Sequence, residues 1–123
     1  MTGAVRTLGG TAAWLCSPDG PLLDSERAAT DIIGDTFGSE VELVVVPVQR
    51  LGPGFLTLST RLAGEVIQKF VNYRLRLAFV GDITSAVAAS NALRDFVRES
   101  NRGRHVWFVA DMAELEAKLA AQA

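Results

Sequence analysis

The chain opens with two short apolar runs and then alternates between helical and strand patterns. The two runs, residues 4–8 and 11–17, flank Gly9-Gly10, and paired glycines accept the positive φ angles of a tight hairpin turn. Residues 18–21, Pro-Asp-Gly-Pro, end the second run because these residue types favour turns. The pattern therefore predicts an antiparallel hairpin at the start of the fold.

Apolar positions at helical spacing predict four helices after the hairpin. Asp24 or Ser25 caps the first helix and Gly38 ends it, while Asp111 and Glu114 form a capping box that begins the last one. The second helix is predicted over about residues 59–72 and the third over about residues 85–100. Their buried faces are predicted to carry Ala28, Ala29, Ile32, Ile33 and Phe37, then Leu62, Ala63, Val66, Ile67, Phe70 and Val71, then Ala89, Leu93, Phe96 and Val97.

Three further apolar runs separate the helices and predict strands over residues 41–48, 75–80 and 106–110. Strands joined by helices pair in parallel through right-handed crossovers. The order of elements therefore predicts one α/β domain over residues 1–123: a five-stranded mixed, mostly parallel sheet with an N-terminal hairpin and four helices.

Three predicted strands are apolar on both of their faces. If the strands lie in chain order, right-handed crossovers place every connecting helix on one face of the sheet. The other face then needs a cover, because sheets that are apolar on both sides are normally buried on both sides. Two solutions are open: a reversal in the strand order, or a homodimer that buries the bare face.

Composition excludes several classes of chemistry. Cys16 and His105 are the only cysteine and histidine in the chain, too few for a disulfide framework or a closed structural zinc site. Cys16 ends an apolar strand, which is typical of a buried structural thiol. The N-terminus lacks a signal-peptide core, and no apolar run approaches membrane-spanning length. We expect a cytoplasmic protein that holds no metal and no cofactor and does not insert into membranes.

The charges are unevenly distributed, although the net charge is only −2. Residues 51–104 carry eight basic and four acidic side chains, whereas residues 1–50 carry three and seven. The basic residues concentrate near the third helix as Arg94, Arg98, Arg102, Arg104 and His105. Asp95 and Glu99 lie among them, so the pattern favours a salt-bridged surface over a nucleic-acid site.

Polar residues recur along one edge of the predicted second helix. Arg61, Glu65, Gln68 and Asn72 share that edge, with Lys69 beside Glu65. Two interpretations are open. The edge is either a solvated surface with a Glu65–Lys69 ion pair or a recognition surface.

Two other places in the chain carry candidate chemistry. Ser59 and Thr60 stand at the predicted start of the second helix, where they either cap it or flank an anion or phosphoryl group. The preceding loop lacks the Gly-Lys-Ser/Thr of a nucleotide-binding P-loop. Asp82 and Asp111 both end predicted parallel strands, at the edge where α/β proteins bind ligands, and both are also suited to capping or turns.

Two segments resemble a known family. The segments from Leu58 to Asp82 and from Ala92 to Gly103 contain Ala-Gly-Glu, Gln-Lys-Phe-Val-Asn-Tyr and Glu-Ser-Asn-Arg-Gly. In these motifs the chain closely resembles the bacterial family catalogued as domain of unknown function 4180. That resemblance implies a small stand-alone bacterial protein and assigns it no activity.

A more distant resemblance concerns the order of elements. A hairpin followed by alternating helices and strands is similar to the STAS fold of anti-sigma-factor antagonists, which keep their strands in chain order. Those domains carry a phosphorylatable serine at the start of their second helix, and Ser59 and Thr60 occupy the corresponding place. This chain has Leu-Ser-Thr-Arg at 58–61 where the antagonists have an Asp-Ser-Ser-Gly-like turn.

We therefore predict a non-enzymatic, STAS-like regulatory or protein-binding module whose partner is a regulator or a kinase. Its predicted binding residues are Ser59, Thr60, Arg61, Glu65, Gln68, Lys69, Asn72, Tyr73 and Asp82. The alternative is a small-molecule-binding protein or enzyme that works at the strand ends. It would use Asp82, Ser59 and Glu65, with Arg50 or Tyr73, around a mostly apolar pocket.

Overall fold

A computed structural model describes residues 3–122 as a five-stranded sheet with helices on both faces. The strands are β1 (Gly3–Leu8), β2 (Thr11–Cys16), β3 (Leu43–Pro47), β4 (Arg76–Val80) and β5 (Val106–Val109). They lie in chain order; β1 pairs antiparallel with β2, and the remaining pairs are parallel. Gly9 and Gly10 have φ angles of 52° and 88° in the hairpin turn. The predicted α/β class, mixed sheet and N-terminal hairpin are confirmed.

The structure has five α-helices in its described part, one more than predicted. They are α1 (Glu26–Asp35), α2 (Leu62–Asn72), α3 (Thr84–Ala89), α4 (Asn91–Arg102) and α5 (Met112–Gln122). Short 3-10 turns cover Val48–Arg50 and Leu58–Thr60. Among residues 3–122, no helix combines the length and the apolar character needed to cross a membrane.

The predicted third helix divides at Ser90. The backbone of Ser90 is extended, with φ −144° and ψ 114°, and its hydroxyl accepts a hydrogen bond of 3.1 Å from the Leu93 amide. Ser90 thus caps α4 and separates it from α3, because an N-cap residue leaves the helical region of backbone space. Ala89, predicted to be buried, is exposed at the end of α3, whereas Leu93 is buried in α4 as predicted.

The first helix ends earlier than its apolar spacing predicts. Ser25 caps it by accepting a 3.0 Å hydrogen bond from the Ala28 amide, and the helix stops at Asp35. Thr36 is the C-cap, and Gly38 has a left-handed φ of 85° in the turn that follows. Phe37 therefore lies beyond the helix and is 68% exposed, so its prediction as a core residue is wrong.

The second helix begins three residues later than predicted. Arg61 has φ 64° and ψ 3°, a left-handed conformation that a right-handed helix does not contain. Ser59 and Thr60 consequently belong to a separate 3-10 turn, and Leu62 is the first residue of α2. The Thr60 hydroxyl lies 2.8 Å from the carbonyl oxygens of both Gly54 and Thr57, so it holds this turn together.

Helices cover both faces of the sheet without a reversal in strand order. One face packs against the buried sides of α1 and α2 and against Phe96 and Val97 of α4. The other packs against Leu115 and Leu119 of α5. The handedness rule governs helices between two parallel strands, and α5 follows the last strand, so it is free to cross the opposite face. The apolar second face therefore needs no second copy of the chain to bury it.

The predicted Asp111 cap at the start of α5 is confirmed, whereas Glu114 bonds to the amide of Ala110 rather than to that of Asp111. Oδ1 of Asp111 accepts a 2.8 Å hydrogen bond from the Glu114 amide, and Oε1 of Glu114 accepts one of 2.8 Å from the Ala110 amide. These bonds satisfy two backbone donors at the point where β5 ends. They fix the direction in which α5 leaves the sheet.

Candidate functional site

A cavity of about 310 Å³ opens at the carboxyl edge of β4 and β5. Gly81 follows β4 with a φ of 145°, and a Cβ atom there would lie 2.2 Å from Cγ2 of Val48. Only glycine suits this turn, which carries the chain away from the sheet and leaves space above the strand ends. The apolar wall of the cavity consists of Ile83, Val87, Val97, Phe108 and Val109.

Asp82 provides a carboxylate at the rim of this cavity. Its Oδ1 accepts hydrogen bonds of 2.9 Å from the Thr84 amide and 2.7 Å from the Thr84 hydroxyl. The bond from the Thr84 hydroxyl, and next the bond from its amide, lower the pKa of Asp82 below its ordinary value. Oδ2 has no hydrogen-bond donor among the described residues and can accept one from a bound molecule.

Arg94 of α4 provides a cation on the same cavity. Arg98 and Arg102 form ion pairs with Asp95 and Glu99, at 2.9 and 3.1 Å, as the interleaved charges predict. Arg94 is exposed, and its side chain has neither an ion pair nor a hydrogen bond within the part of the chain that is described. The charge pattern predicts that Arg94 belongs to a salt-bridged surface. It does not distinguish Arg94, which lines the cavity, from the arginines that form ion pairs.

Helix α3 is the most weakly packed wall of the cavity. None of its residues is buried. Val87 and Ala88 line the cavity, whereas Ala86 and Ala89 line a second, open groove of about 450 Å³ that Ser59 also borders. Asp82 therefore lines the cavity and Ser59 lines the groove, so the structure does not bring the two residues together.

The predicted polar edge of α2 is solvent-exposed but shorter than expected. Glu65, Gln68 and Asn72 lie on it, and the Gln68 side-chain amide donates a 2.8 Å hydrogen bond to Oδ1 of Asn72. Arg61 precedes the helix in its left-handed turn. Lys69 pairs at 3.6 Å with Glu26 rather than with Glu65, because α1 packs against α2 and brings Glu26 within reach.

Tyr73, just beyond the end of α2, forms an exposed aromatic pair with Phe37. The ring centroids are 6.2 Å apart, and Tyr73 is 50% exposed. Val71 lies close by in the chain and is also exposed. The apolar spacing predicts both Phe37 and Val71 in the core. Phe37 lies beyond the end of α1, whereas Val71 lies within α2 on its exposed side.

Arg50, proposed from the sequence as a polar group at the strand ends, is buried to 2% exposure. Its guanidinium donates hydrogen bonds to the carbonyl oxygens of Ser17 and Pro21, so it fixes the loop that follows β2. Cys16 is buried nearby, as predicted, and burial raises its pKa to about 11. This thiol is therefore a poor nucleophile at neutral pH.

The described residues contain no group of three histidine, cysteine, aspartate or glutamate side chains placed to hold a metal ion. The polar side chains that line the cavity at the ends of β4 and β5 are one carboxylate, one hydroxyl and one guanidinium, those of Asp82, Thr84 and Arg94. Together with the apolar wall, they form a site suited to binding a small polar-headed molecule.

Comparisons with curated proteins and with solved structures give no significant match. A comparison with family models gives one that covers residues 9–119, which include every helix and strand except the first strand and the end of the last helix. On that match, the chain belongs to the family described as Domain of unknown function (DUF4180).

Proposed function

We propose that this protein binds a small molecule with an apolar body and an acidic group in the cavity at the carboxyl edge of β4 and β5. The observation that carries the proposal is an apolar cavity of about 310 Å³ whose rim holds the unpaired Arg94. That volume lies at the lower end of the range typical of ligand sites, roughly 300–1,000 Å³. The cavity also lies outside the carboxyl ends of the strands, the side on which open α/β sheets bind ligands, although this sheet has no reversal in strand order.

The side chains around the cavity suit a ligand with three chemical features. Its apolar body packs on Val87, Val97 and Phe108, where burial of apolar surface drives binding. Its acidic group pairs with the Arg94 guanidinium, and a donor group on the ligand reaches Oδ2 of Asp82. The exposed Asp82 carboxylate is ionised at neutral pH, as an ordinary aspartate is, so its oxygen acts as an acceptor.

The acid 4-phenylbutyrate and its uncharged amide are suitable probes, because they share an apolar body and differ in the group that meets Arg94. Ligand-observed NMR should show tighter binding of the acid to the wild type. Arg94→Ala should weaken binding of the acid about tenfold, the usual scale for one charge-assisted hydrogen bond, and leave the amide unaffected. Arg98→Ala removes the same charge one turn away and should leave both affinities unchanged.

A second pair of variants tests the location of binding. Ala88 is exposed and lines the cavity, so Ala88→Phe should fill the space and abolish binding of both probes. Ala117→Phe places the same side chain at an exposed position of α5 and should have no effect. Equal affinity for acid and amide, or full binding by the Ala88→Phe variant, would refute the proposal.

A second candidate function is a STAS-like regulatory module that binds a protein partner, a regulator or a kinase, through the exposed surface of α2. The exposed pair of Phe37 and Tyr73 favours it, because aromatic side chains are enriched in protein interfaces. Gln68 and Asn72 lie along the same helix. The chain-order sheet is what the resemblance to STAS domains implies, and it supports this proposal at the level of the fold.

Ser59 is the better candidate phosphoryl acceptor for such a module. Its side chain is exposed and has no hydrogen bond within the described residues, whereas the Thr60 hydroxyl is bonded to its own turn. Tyr73→Ala combined with Gln68→Ala should abolish capture of a partner protein or of a second copy, with an unchanged melting temperature. An equal loss of melting temperature would show that these side chains are structural.

A further inference from the structure

Another cavity, polar and of about 220 Å³, lies at the opposite end of the strands, where the parallel strands begin. The hairpin turn, the first residues of β2 and β4, and the end of α5 surround it. The polar side chains on its wall are those of Thr11, Glu42, Arg76, Arg104 and Gln122. The proposed function uses none of them.

Arg76 is held in place in this cavity, yet part of its guanidinium is unused. Its Nε donates a hydrogen bond to the Arg104 carbonyl oxygen, and its Cζ lies 4.8 Å from the centroid of the Trp107 ring. Its Nη2 is buried and has no hydrogen-bond partner. A buried donor without an acceptor is unfavourable, so the Arg76 guanidinium has hydrogen-bonding capacity left for a bound acceptor.

Positive charge exceeds negative charge around Arg76. Burial and the nearby charge of Arg104 lower the pKa of Arg76, while Glu42 raises it, so Glu42 offsets only part of the effect. The two arginines on the cavity wall face the single carboxylate of Glu42. An arginine stays protonated even when its pKa falls, so the cavity remains positively charged at neutral pH.

We propose that this cavity binds the phosphate group of a small molecule. The guanidinium groups of Arg76 and Arg104, which both line the cavity, would donate to the phosphate oxygens, and guanidinium geometry suits phosphate. The Thr11 hydroxyl and the Gln122 amide, neither of which has a partner among the described residues, would supply neutral donors. A phosphate bound there would neutralise the excess charge of the two arginines.

An NMR titration with inorganic phosphate, at ionic strength held constant with chloride, tests the proposal. The indole N–H of Trp107 should shift and saturate because its ring packs on Arg76, whereas that of Trp14, on the opposite face of the sheet, should not move. A parallel titration with glycerol 2-phosphate separates two sources of the group. Binding of both probes identifies a phosphate monoester, and binding of inorganic phosphate alone identifies free phosphate; either supports the site.

Two variants connect the response to the named residues. Arg104→Ala, at an exposed position, and Arg76→Met, which keeps the aliphatic contact with Trp107, should each weaken phosphate binding about tenfold or more. Arg102→Ala removes the same charge from an exposed arginine that already pairs with Glu99, and should not change affinity. The absence of a saturable Trp107 shift, or equal weakening by Arg102→Ala, would overturn the proposal. If Arg76→Met fails to fold, Arg104→Ala decides the outcome alone.

Discussion

At the scale of single residues, Arg50 shows how a buried charge organises a loop. It lies beneath the Ser17–Pro21 segment and bonds to the carbonyl oxygens at both ends of it. Gly20 must pass directly over the guanidinium, because a Cβ atom there would lie 2.6 Å from Cζ of Arg50. A buried arginine needs such acceptors, since removing its charge from water is costly.

Arg50→Met should destabilise the protein by about 1–3 kcal/mol, because the two carbonyl oxygens lose their donors. The free energy of unfolding in urea measures the effect. Arg94→Met is the matched control, since Arg94 is exposed and unpaired in the described structure, and it should change stability by less than about 0.5 kcal/mol. Equal stability of the Arg50→Met variant and the wild type would show that the loop does not depend on this side chain.

Cys16 should make stability depend on alkaline pH. Burial raises the pKa of its thiol from 9.0 to about 11 in the folded state, despite the opposing charge of Arg50. Below pH 9 the thiol is protonated in both states, so the full contribution of Cys16 to folding stability is present. Between pH 9 and pH 11 the unfolded state ionises and the folded state does not, so stability falls by about 1.4 kcal/mol per pH unit.

Comparison with Cys16→Ala isolates this effect from other groups that titrate at high pH. The stability advantage of the wild type over the variant should shrink as the pH rises from 9 to 11 and then level off. A constant difference across that range would mean that the thiol pKa is not raised by folding. The same burial predicts that Cys16 reacts with thiol reagents only when the chain unfolds.

At the scale of elements, helix ends decide where functional groups lie. The break at Ser90 allows α3 to leave the line of α4, and the cavity lies beside α3 as a result. The left-handed Arg61 similarly separates the Ser59 turn from α2. Both breaks occur inside stretches whose apolar spacing predicts one continuous helix, because backbone conformation at a single residue overrides periodicity.

Ser90→Ala should destabilise the protein by about 1 kcal/mol, the usual cost of losing a serine N-cap. The removed interaction is the 3.1 Å hydrogen bond from the Leu93 amide. Thermal unfolding measures it against Ser85→Ala, an exposed serine of α3 without a hydrogen bond among the described side chains. If both variants lose the same stability, Ser90 is not acting as a cap.

At the scale of the whole molecule, α5 completes the second layer of the core. Leu115 and Leu119 are fully buried against the sheet face that the connecting helices leave uncovered. A chain of 123 residues thus buries both sides of β3, β4 and β5 within one copy, while most of β1 stays exposed. The two proposed sites lie at opposite ends of the strands, so each can be altered without touching the other.

Leu115→Ala should cost about 2–5 kcal/mol, because it leaves a cavity in this second layer. Leu22→Ala removes the same atoms from a side chain that is 43% exposed, and it should cost far less. Urea unfolding of both variants measures the difference. Similar losses for the two would mean that α5 contributes little to the stability of the fold.

The amino-acid sequence by itself determined the features that depend on neighbouring residues. Paired glycines specified the hairpin, apolar runs specified the strands, and Asp111 with Glu114 specified the start of α5. Each of these signals lies within a few residues of the structure it produces. The buried state of Cys16 followed from the same local reasoning.

Only the tertiary structure decided which distant residues meet. The cavity joins Asp82 after β4 to Arg94 on α4, and the polar pocket joins Arg76 to Arg104 and Gln122. The pairing of Lys69 with Glu26 and the position of α5 on the second face depend equally on how the helices pack. Periodicity reports that a side chain is buried or exposed, but the partner that it meets is set by packing between elements far apart in the chain.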